Sequence, residues 1–333
     1  MANILTLGEI MLRLSTPVGE RIAHSSAFAA HYGGGEANVA ISLANFGHQV
    51  SFASKVPENA LGDAVLHHLR SYGVDCRHLL RGGSRLGTYY IETGVGERAA
   101  RVVYDRAGSS FAQMADNEWS EELFDGVDIF HLSGITPALS STWRKLLVTL
   151  IKEAKAAGCK ISFDINYRGK LWSTDEARVY LQEVLPYVDY CSAGKLDAQV
   201  FMDIPAAEKE EADDSYYYQE MHRKYPNIKL FYATNRQVFS ASHNQLTGSL
   251  WHEGNYVVSA THEIHPIVDR VGGGDAFSAG ILHGLLTNKA DQAIIDFATA
   301  ASALKHTIHG DCNQFTEAEV TEFLAVGSGK IIR

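Results

Sequence analysis

Hydrophobic and polar positions divide most of the chain into short apolar runs and longer amphipathic stretches. Runs of four or five apolar residues are typical of buried strands, and stretches in which apolar residues return every three or four positions are typical of helices. Their alternation predicts parallel strands joined by crossover helices in an α/β fold. The predicted strands are 4–7, 50–53, 129–132, 160–164, 187–191 and 229–233, and the predicted helices include 36–45, 63–71 and 142–157.

Two segments interrupt this alternation. Residues of about 9–24 and 86–104 read as β-structure without intervening helices, and they are rich in Thr, Tyr and Val. Pattern alone does not distinguish a separate small sheet from a meander. The run 207–214 is acidic and hydrophilic, which predicts a solvated linker. With 333 residues, the chain suits one doubly wound domain (1–333) with a small appendage.

Composition narrows the classes of partner. Lys and Arg total 29 against 39 Asp and Glu, a formal charge of −10, which argues against nucleic acids and anionic membranes as partners. No apolar run approaches the ~20 residues of a membrane span. The first residues lack the basic region of a signal peptide. We therefore expect a cytoplasmic protein, in keeping with four scattered cysteines that form no close pair: Cys76, Cys159, Cys191 and Cys312.

The most informative motif is a glycine turn at 272–274 that leads into an apolar run typical of a buried helix. Glycines let the backbone approach a ligand closely, and a helix start offers free N–H donors and a partial positive charge. Asp275 lies at the junction. Donors for an anion beside one carboxylate base suggest phosphoryl transfer to an alcohol. The alternative is an ordinary glycine turn with Asp as a helix cap.

Other nucleotide and metal motifs are missing from the sequence. There is no G-x-x-x-x-G-K-[ST], which argues against a P-loop kinase. The residues after the first strand do not follow G-x-G-x-x-G, which argues against a nicotinamide dehydrogenase. No H-E-x-x-H or close Cys/His cluster suggests a transition-metal site.

The stretch Asp269-Arg-Val-Gly-Gly-Gly-Asp275 resembles the signature of the ribokinase-like (PfkB) carbohydrate kinases, usually Asp-Thr-Val-Gly-Ala-Gly-Asp. The stretch 31–40, His-Tyr-Gly-Gly-Gly-Glu-Ala-Asn-Val-Ala, resembles a second family element. The resemblance runs end to end and implies a doubly wound, mainly parallel sheet flanked by helices, with a small β-sheet lid over the sugar. Five further stretches look like the branch that phosphorylates 2-keto-3-deoxygluconate: 87–92, 103–108, 132–136, 164–168 and 305–311.

The resemblance implies roles in catalysis. Asp275 would be the general base, and the N–H groups of Gly272, Gly273 and Gly274 would hold the charge that develops on the phosphoryl group. ATP is the implied cofactor. Mg²⁺ follows from the phosphoryl chemistry, since the sequence shows no ligand set for it. The implied cofactor-binding residues are Asn166, Arg168, Thr234, Arg236, Gly272 and Gly274.

The resemblance also implies a sugar-acid site. Gly34, Gly35 and Asn38 would bind the sugar, or would form a helix start that another backbone approaches closely. Tyr89, Tyr104 and Arg106 match substrate positions of the branch, although the two tyrosines are also compatible with aromatic strand residues that pack on each other. Arg168 follows a strand end, where α/β proteins bind ligands, and would pair with the carboxylate; the alternative is a surface salt bridge.

Two stretches depart from the family pattern. Where many members carry Asn-x-x-Glu, this chain has Gly194-Lys-Leu-Asp197, which leaves Asp197 as the candidate for an indirect contact to the metal. The usual strand with a Lys-x-Gly turn is replaced by residues 233–244, within which Thr234 and Arg236 are candidates for phosphate contacts.

The expected reaction is ATP-dependent phosphorylation of the terminal hydroxyl of 2-keto-3-deoxygluconate to the 6-phospho product. The alternatives are a PfkB-type kinase for a fructose-like ketose or a nucleoside, and a catalytically silent sugar-acid sensor. A β-sheet lid with an exposed edge also favours self-association into a homo-oligomer.

Overall fold

The computed structural model describes residues 2–207 and 214–326. Positions 208–213 of the predicted acidic linker therefore lie outside the described residues. The strands are β1 (Asn3–Leu7), β2 (Met11–Ser15), β3 (Ala29–Gly33), β4 (Gln49–Val56), β5 (Leu79–Arg81), β6 (Thr88–Glu92), β7 (Arg101–Asp105), β8 (Ile129–Ser133), β9 (Lys160–Asp164), β10 (Tyr190–Ser192), β11 (Leu230–Ser240), β12 (His243–His252), β13 (Asn255–Val258) and β14 (His262–Ile264). The helices are α1 (Gly35–Asn45), α2 (Ala60–Ser71), α3 (Ile135–Ala138), α4 (Ser141–Ala156), α5 (Thr174–Val184), α6 (Lys195–Phe201), α7 (Ser215–Lys224), α8 (Gly273–Leu286), α9 (Asp291–Lys305) and α10 (Glu317–Val326).

The large sheet confirms the predicted α/β architecture. Its strand order is β13-β12-β11-β10-β9-β8-β1-β4-β5, with β14 paired to β12. Every pairing from β5 to β11 is parallel, whereas β12 pairs antiparallel with β11, β13 and β14. The sequence pattern predicted only the buried start of β11, because its second half is exposed and polar.

A second, four-stranded sheet has the order β3-β2-β6-β7. The predicted segment 86–104 contains β6 and most of β7. The segment 9–24 contains β2 but then forms a short 3-10 helix at Ile22–His24, so the prediction of β-structure throughout was wrong there. Strand β3 lay outside the predicted boundaries, because its sequence AAHYG has no β-branched residue and its strand form depends on pairing with β2.

Two boundaries of the large sheet also differ from the prediction. The predicted strand 187–191 is a 3-10 turn at Leu185–Tyr187, which includes a proline, followed by the shorter β10. Helix α2 begins three residues before the predicted start, because the Asn59 side chain accepts hydrogen bonds from the N–H groups of Leu61 and Gly62.

Helix α8 is buried on almost all sides, which fixes the position of the glycine turn that precedes it. It packs against α1 and α9. At Gly280 the backbones of α8 and α9 approach so closely that an added Cβ would lie 2.5 Å from the Cα of Ala298.

Within the described residues, no helix combines the length and the apolar character needed to cross a membrane.

Candidate active site

A cavity of about 530 Å³ lies where the carboxyl ends of the central parallel strands face the small sheet. Its floor includes Glu9, which follows β1 closely, and Asp164, the last residue of β9. The small sheet contributes apolar and aromatic side chains, among them Met11 and Tyr89. Ligand sites of open α/β sheets occupy this edge of the sheet.

The three glycines of the turn have different structural reasons to be glycine. Gly272 has φ +80°, and an added Cβ would lie 1.7 Å from the carbonyl oxygen of Asp311. At Gly273 a Cβ would lie 2.5 Å from the His306 ring. At Gly274 it would meet no atom within 4 Å. Packing therefore requires glycine at the first two positions, whereas Gly274 is open toward the cavity that it lines.

The backbone donors of this turn differ in one position from the prediction. The N–H of Gly273 donates to the Arg270 carbonyl at 3.4 Å, and Gly273 does not line the cavity. Among the described residues, the N–H groups of Gly272, Gly274 and Asp275 have no hydrogen-bond acceptor. Unpaired amides at the positive end of α8 form a site suited to an anion.

Asp275 lies in the first turn of α8 and lines the cavity. The Asn38 side-chain amide donates to its Oδ2 at 2.7 Å. Burial raises the pKa of Asp275 to about 6, against the opposing effects of Asn38 and of the Arg168 and Lys305 cations. A carboxyl with that pKa is mostly ionised at neutral pH and can still accept a proton, as a general base requires.

Two further carboxyl groups of the cavity were not among the predicted site residues. Glu36 is buried, accepts a hydrogen bond from the Ser133 hydroxyl at 2.5 Å, and has a pKa raised by burial to about 7. Burial also raises the pKa of Asp164 to about 7, with a further increase from the charge of Asp275. The available indication for Asp164 was its place at a predicted strand end, two residues before Asn166.

Arg106 lines the cavity, but its guanidinium is already paired. Its Nε donates to Oε2 of Glu9 at 2.8 Å, and its Nη2 contacts the same oxygen. Tyr89 and Tyr104 stack with ring centroids 5.6 Å apart, so the aromatic pairing considered from the sequence is present while both rings also line the cavity.

Several cations of the cavity form no salt bridge with the described residues. Among the described residues, four cations that line the cavity have no carboxylate partner: Arg168, Lys170, Arg236 and Arg270. The interpretation of Arg168 as a surface salt bridge is therefore not what the structure shows. Five carboxyl groups line the cavity as well, but cations without a salt-bridge partner, in a chain with a formal charge of −10, still make it a candidate site for anions.

Most predicted site residues are brought together by the fold. Those that line the cavity are Gly34, Gly35, Asn38, Tyr89, Tyr104, Arg106, Asn166, Arg168, Arg236, Gly272, Gly274 and Asp275. Thr234 and Asp197 do not line it, like Gly273. Asp197 instead accepts a hydrogen bond from the Gly194 N–H at 2.9 Å, which caps the start of α6.

Comparison with known proteins identifies the family. The family model described as pfkB family carbohydrate kinase matches residues 1–318. The chain belongs to the pfkB family of carbohydrate kinases. It is a sugar kinase of a family that uses ATP, which confirms the resemblance found in the sequence.

Relatives of this pfkB kinase include enzymes named for keto-deoxy sugar acids. The 2-dehydro-3-deoxygalactonokinase of Haloferax volcanii is 32% identical, over 100% of this chain and 99% of the relative. The solved structure of 2-dehydro-3-deoxygluconokinase from Thermotoga maritima is 38% identical with a TM-score of 0.93, covering 98% of this chain and 100% of that chain. A PfkB family carbohydrate kinase from Listeria grayi is 48% identical, also with a TM-score of 0.93, covering 97% and 99%.

Proposed function

We propose that this pfkB kinase transfers the γ-phosphoryl group of ATP to the terminal hydroxyl of 2-keto-3-deoxygluconate, giving 2-keto-3-deoxy-6-phosphogluconate. The observation that carries the proposal is the guanidinium of Arg168, which lines the same cavity as Asp275 and forms no salt bridge among the described residues. A neutral sugar would leave this cation without a hydrogen-bonded carboxylate, whereas a sugar acid supplies one for two parallel hydrogen bonds.

In the proposed reaction, Asp275 accepts the proton of the substrate hydroxyl. The hydroxyl oxygen forms a bond to the γ-phosphorus as the bond from that phosphorus to the bridging oxygen of ADP breaks. The N–H groups of Gly272, Gly274 and Asp275 donate to the transferring phosphoryl oxygens. Fixed donors stabilise this charge without reorganising during the reaction.

Asn38 orients the proposed base. Its amide nitrogen donates to Oδ2 of Asp275, which leaves Oδ1 of the carboxylate to face the substrate hydroxyl. An added Cβ on Gly35 would come within 3.7 Å of this Oδ1 atom, so glycine at position 35 leaves room there for the hydroxyl. Both sequence motifs thus converge on one carboxylate.

Arg236 and Arg270 are the candidates for the nucleotide phosphates. Both line the cavity near the glycine turn, and Arg270 donates to the side-chain oxygen of Asn244 at 3.1 Å. Two neighbouring guanidinium groups without carboxylate partners repel one another unless an anion lies between them. A triphosphate chain has the charge to do so.

Mg²⁺ is proposed as the accompanying ion, and it would neutralise part of the phosphate charge. Among the described residues, no group of three or more His, Cys, Asp and Glu side chains could hold a metal by itself. Kinase Mg²⁺ ions, however, are commonly bound by one or two carboxylates together with phosphates and water. Asp164 in the cavity fits that requirement, whereas Asp197 is engaged in capping α6.

The small sheet is proposed to cover the sugar within a single domain. Met11, Ile91 and Val102 lie with Tyr89 and Tyr104 on the cavity side of the small sheet, where they would exclude water from the reacting groups.

Strand β7 forms an edge of this sheet and exposes Val103 and Tyr104. We propose that a second copy of the chain covers that edge, which light scattering with the Val103→Lys variant would test.

The proposed function is tested by measuring ADP release with a panel of sugars at fixed ATP. We expect rapid turnover with 2-keto-3-deoxygluconate and little with fructose or a nucleoside. Its galacto epimer belongs in the panel, because the Haloferax volcanii relative is named for that acid. Efficient turnover of fructose would favour another pfkB-type sugar kinase, and binding of the acid without ADP release would favour a sensor.

A further inference from the structure

A buried cluster of four charged side chains lies against the back of the glycine turn. Arg13 donates from Nη2 to Oδ2 of Asp269 at 2.6 Å and from Nη1 to Oδ2 of Asp311 at 3.2 Å. Lys305 is the second cation of the cluster and is 0% exposed. The two positive and two negative charges balance, as buried charges generally must.

Lys305 occupies a site made largely of backbone carbonyl groups. Its Nζ lies 3.4 Å from the carbonyl oxygen of Asp269 and 3.5 Å from that of Ile308. These oxygens belong to the two loops that flank the glycine turn. The ammonium therefore joins the loop before the turn to the loop that follows α9.

The same cluster restrains the turn itself. The two carboxylate oxygens of Asp269 accept hydrogen bonds from the N–H groups of Val271, at 3.1 Å, and Gly310, at 3.2 Å. The Asp311 carbonyl packs so closely on Gly272 that no Cβ fits between them. Movement within the cluster would consequently displace the donors of the anion site.

The charge of Lys305 also reaches the proposed base. Burial raises the pKa of Asp275 most; Asn38 and the cations Arg168 and Lys305 lower it, and Asp311 raises it further. The neighbouring carboxyls Glu36 and Asp164 interact with Asp275 as well. Lys305 differs from Arg168 in being held inside the protein rather than in the cavity.

Resting on the proposed phosphoryl transfer, we propose that Lys305 is a positioning residue for that reaction. Its buried ammonium fixes the glycine turn and makes the electrostatic field at Asp275 more positive. Lys305 acts through the backbone of the glycine turn and through the electrostatic effect of its charge on Asp275. It touches neither substrate nor nucleotide.

The test uses Lys305→Met, which keeps most of the length of the unbranched side chain and removes its charge. We expect kcat to fall at least about tenfold while KM for the sugar acid changes by less than about threefold. The acidic limb of the kcat profile should move to higher pH, because a cation that favours the ionised base has been lost. Hydrogen exchange should also become faster at the hydrogen-bonded amides of this region, which are those of Asp269, Val271, Gly273 and Gly310.

Lys155→Met is the matched control, because Lys155 pairs with the buried Asp189 at 2.8 Å on another part of the sheet. It should change stability without moving the acidic limb of the pH profile.

If Lys305→Met does not fold, the charge-balanced double variant Lys305→Met/Asp311→Asn is compared with Asp311→Asn alone. A folded variant with wild-type kcat, pH limb and amide exchange would overturn the inference. If the wild type phosphorylates no acid, the proposed function fails, and the amide exchange still decides the role of Lys305.

Discussion

The Asn38 amide donates a 2.7 Å hydrogen bond to the Asp275 carboxylate, joining two glycine motifs that are 237 positions apart in the chain. Asn38 lies in the first turn of α1 and Asp275 in the first turn of α8, and these two helices pack together. The contact therefore places two helix starts, with their partial positive charges, around one cavity. A site of this kind is suited to a carboxylate base and a transferring phosphoryl group.

Replacing Asp275 with Asn should abolish most turnover. The amide keeps the size of the side chain but cannot accept the hydroxyl proton, so we expect kcat to fall on the order of a hundredfold or more, with nucleotide binding largely kept. ADP release and ATP titration measure the two effects. Asp291→Asn, in the first turn of α9 and remote from the cavity lining, is the control. Near-normal turnover in folded Asp275→Asn would refute the assignment of the base.

The activity should depend on pH through the same residue. With its pKa raised to about 6, Asp275 is protonated and inactive at lower pH and becomes an active base as the pH rises. We expect kcat/KM to show an acidic limb near pH 6 and a plateau above it. Since Asp164 and Glu36 titrate nearby, the limb reports the coupled group. A profile that is flat from pH 5 to pH 8 would contradict the prediction.

The sequence predicted the motifs of the site better than their contacts. The glycines and the apolar run after them predicted α8, because backbone freedom and burial are local properties. The bond between Asn38 and Asp275 depends on how the sheet brings two distant helices together, so the sequence pattern did not contain it. Glu36 was missed for a similar reason. A glutamate in the first turn of a helix reads as a favourable capping charge, and only the packed structure shows that it is buried.

Arg106 illustrates a second limit of the sequence. The resemblance predicted that Arg106 contacts the substrate, and nothing in the sequence indicated that Glu9 pairs with its guanidinium in the fold. Ion pairs between residues that are 97 positions apart follow from side-chain placement and not from local pattern. Thr234 was a candidate for a phosphate contact through the resemblance to the family branch, and it lies in the ladder of β11 opposite Gly248, outside the cavity lining.

The glycines should separate catalytic from structural effects. Gly274→Val places a side chain in open space at the anion site, so it should reduce kcat strongly and leave the melting temperature nearly unchanged. Gly272→Ala should instead destabilise the fold by about 1–3 kcal/mol, because it combines a positive φ with a backbone clash. Thermal denaturation and ADP release distinguish the two. If Gly274→Val retained wild-type turnover, the turn would be only a structural element.

Arg168 should determine the preference for an acid over a neutral sugar. Its guanidinium forms no salt bridge among the described residues, so a substrate carboxylate that loses water in the cavity would gain two hydrogen bonds from it. Arg168→Lys keeps the charge but loses the planar fork, and we expect KM for the acid to rise about tenfold or more. Arg168→Ala should remove most of the preference, measured as the ratio of kcat/KM for the keto-deoxy acid to kcat/KM for its neutral analogue.

Lys170→Ala is the control, because it removes a neighbouring cation of the same cavity. It separates the effect of the planar guanidinium of Arg168 from that of positive charge in general. If the wild type phosphorylated the neutral analogue as well as the acid, or if Arg168→Ala kept the wild-type ratio, the sugar-acid assignment would be wrong while the sugar-kinase assignment would stand.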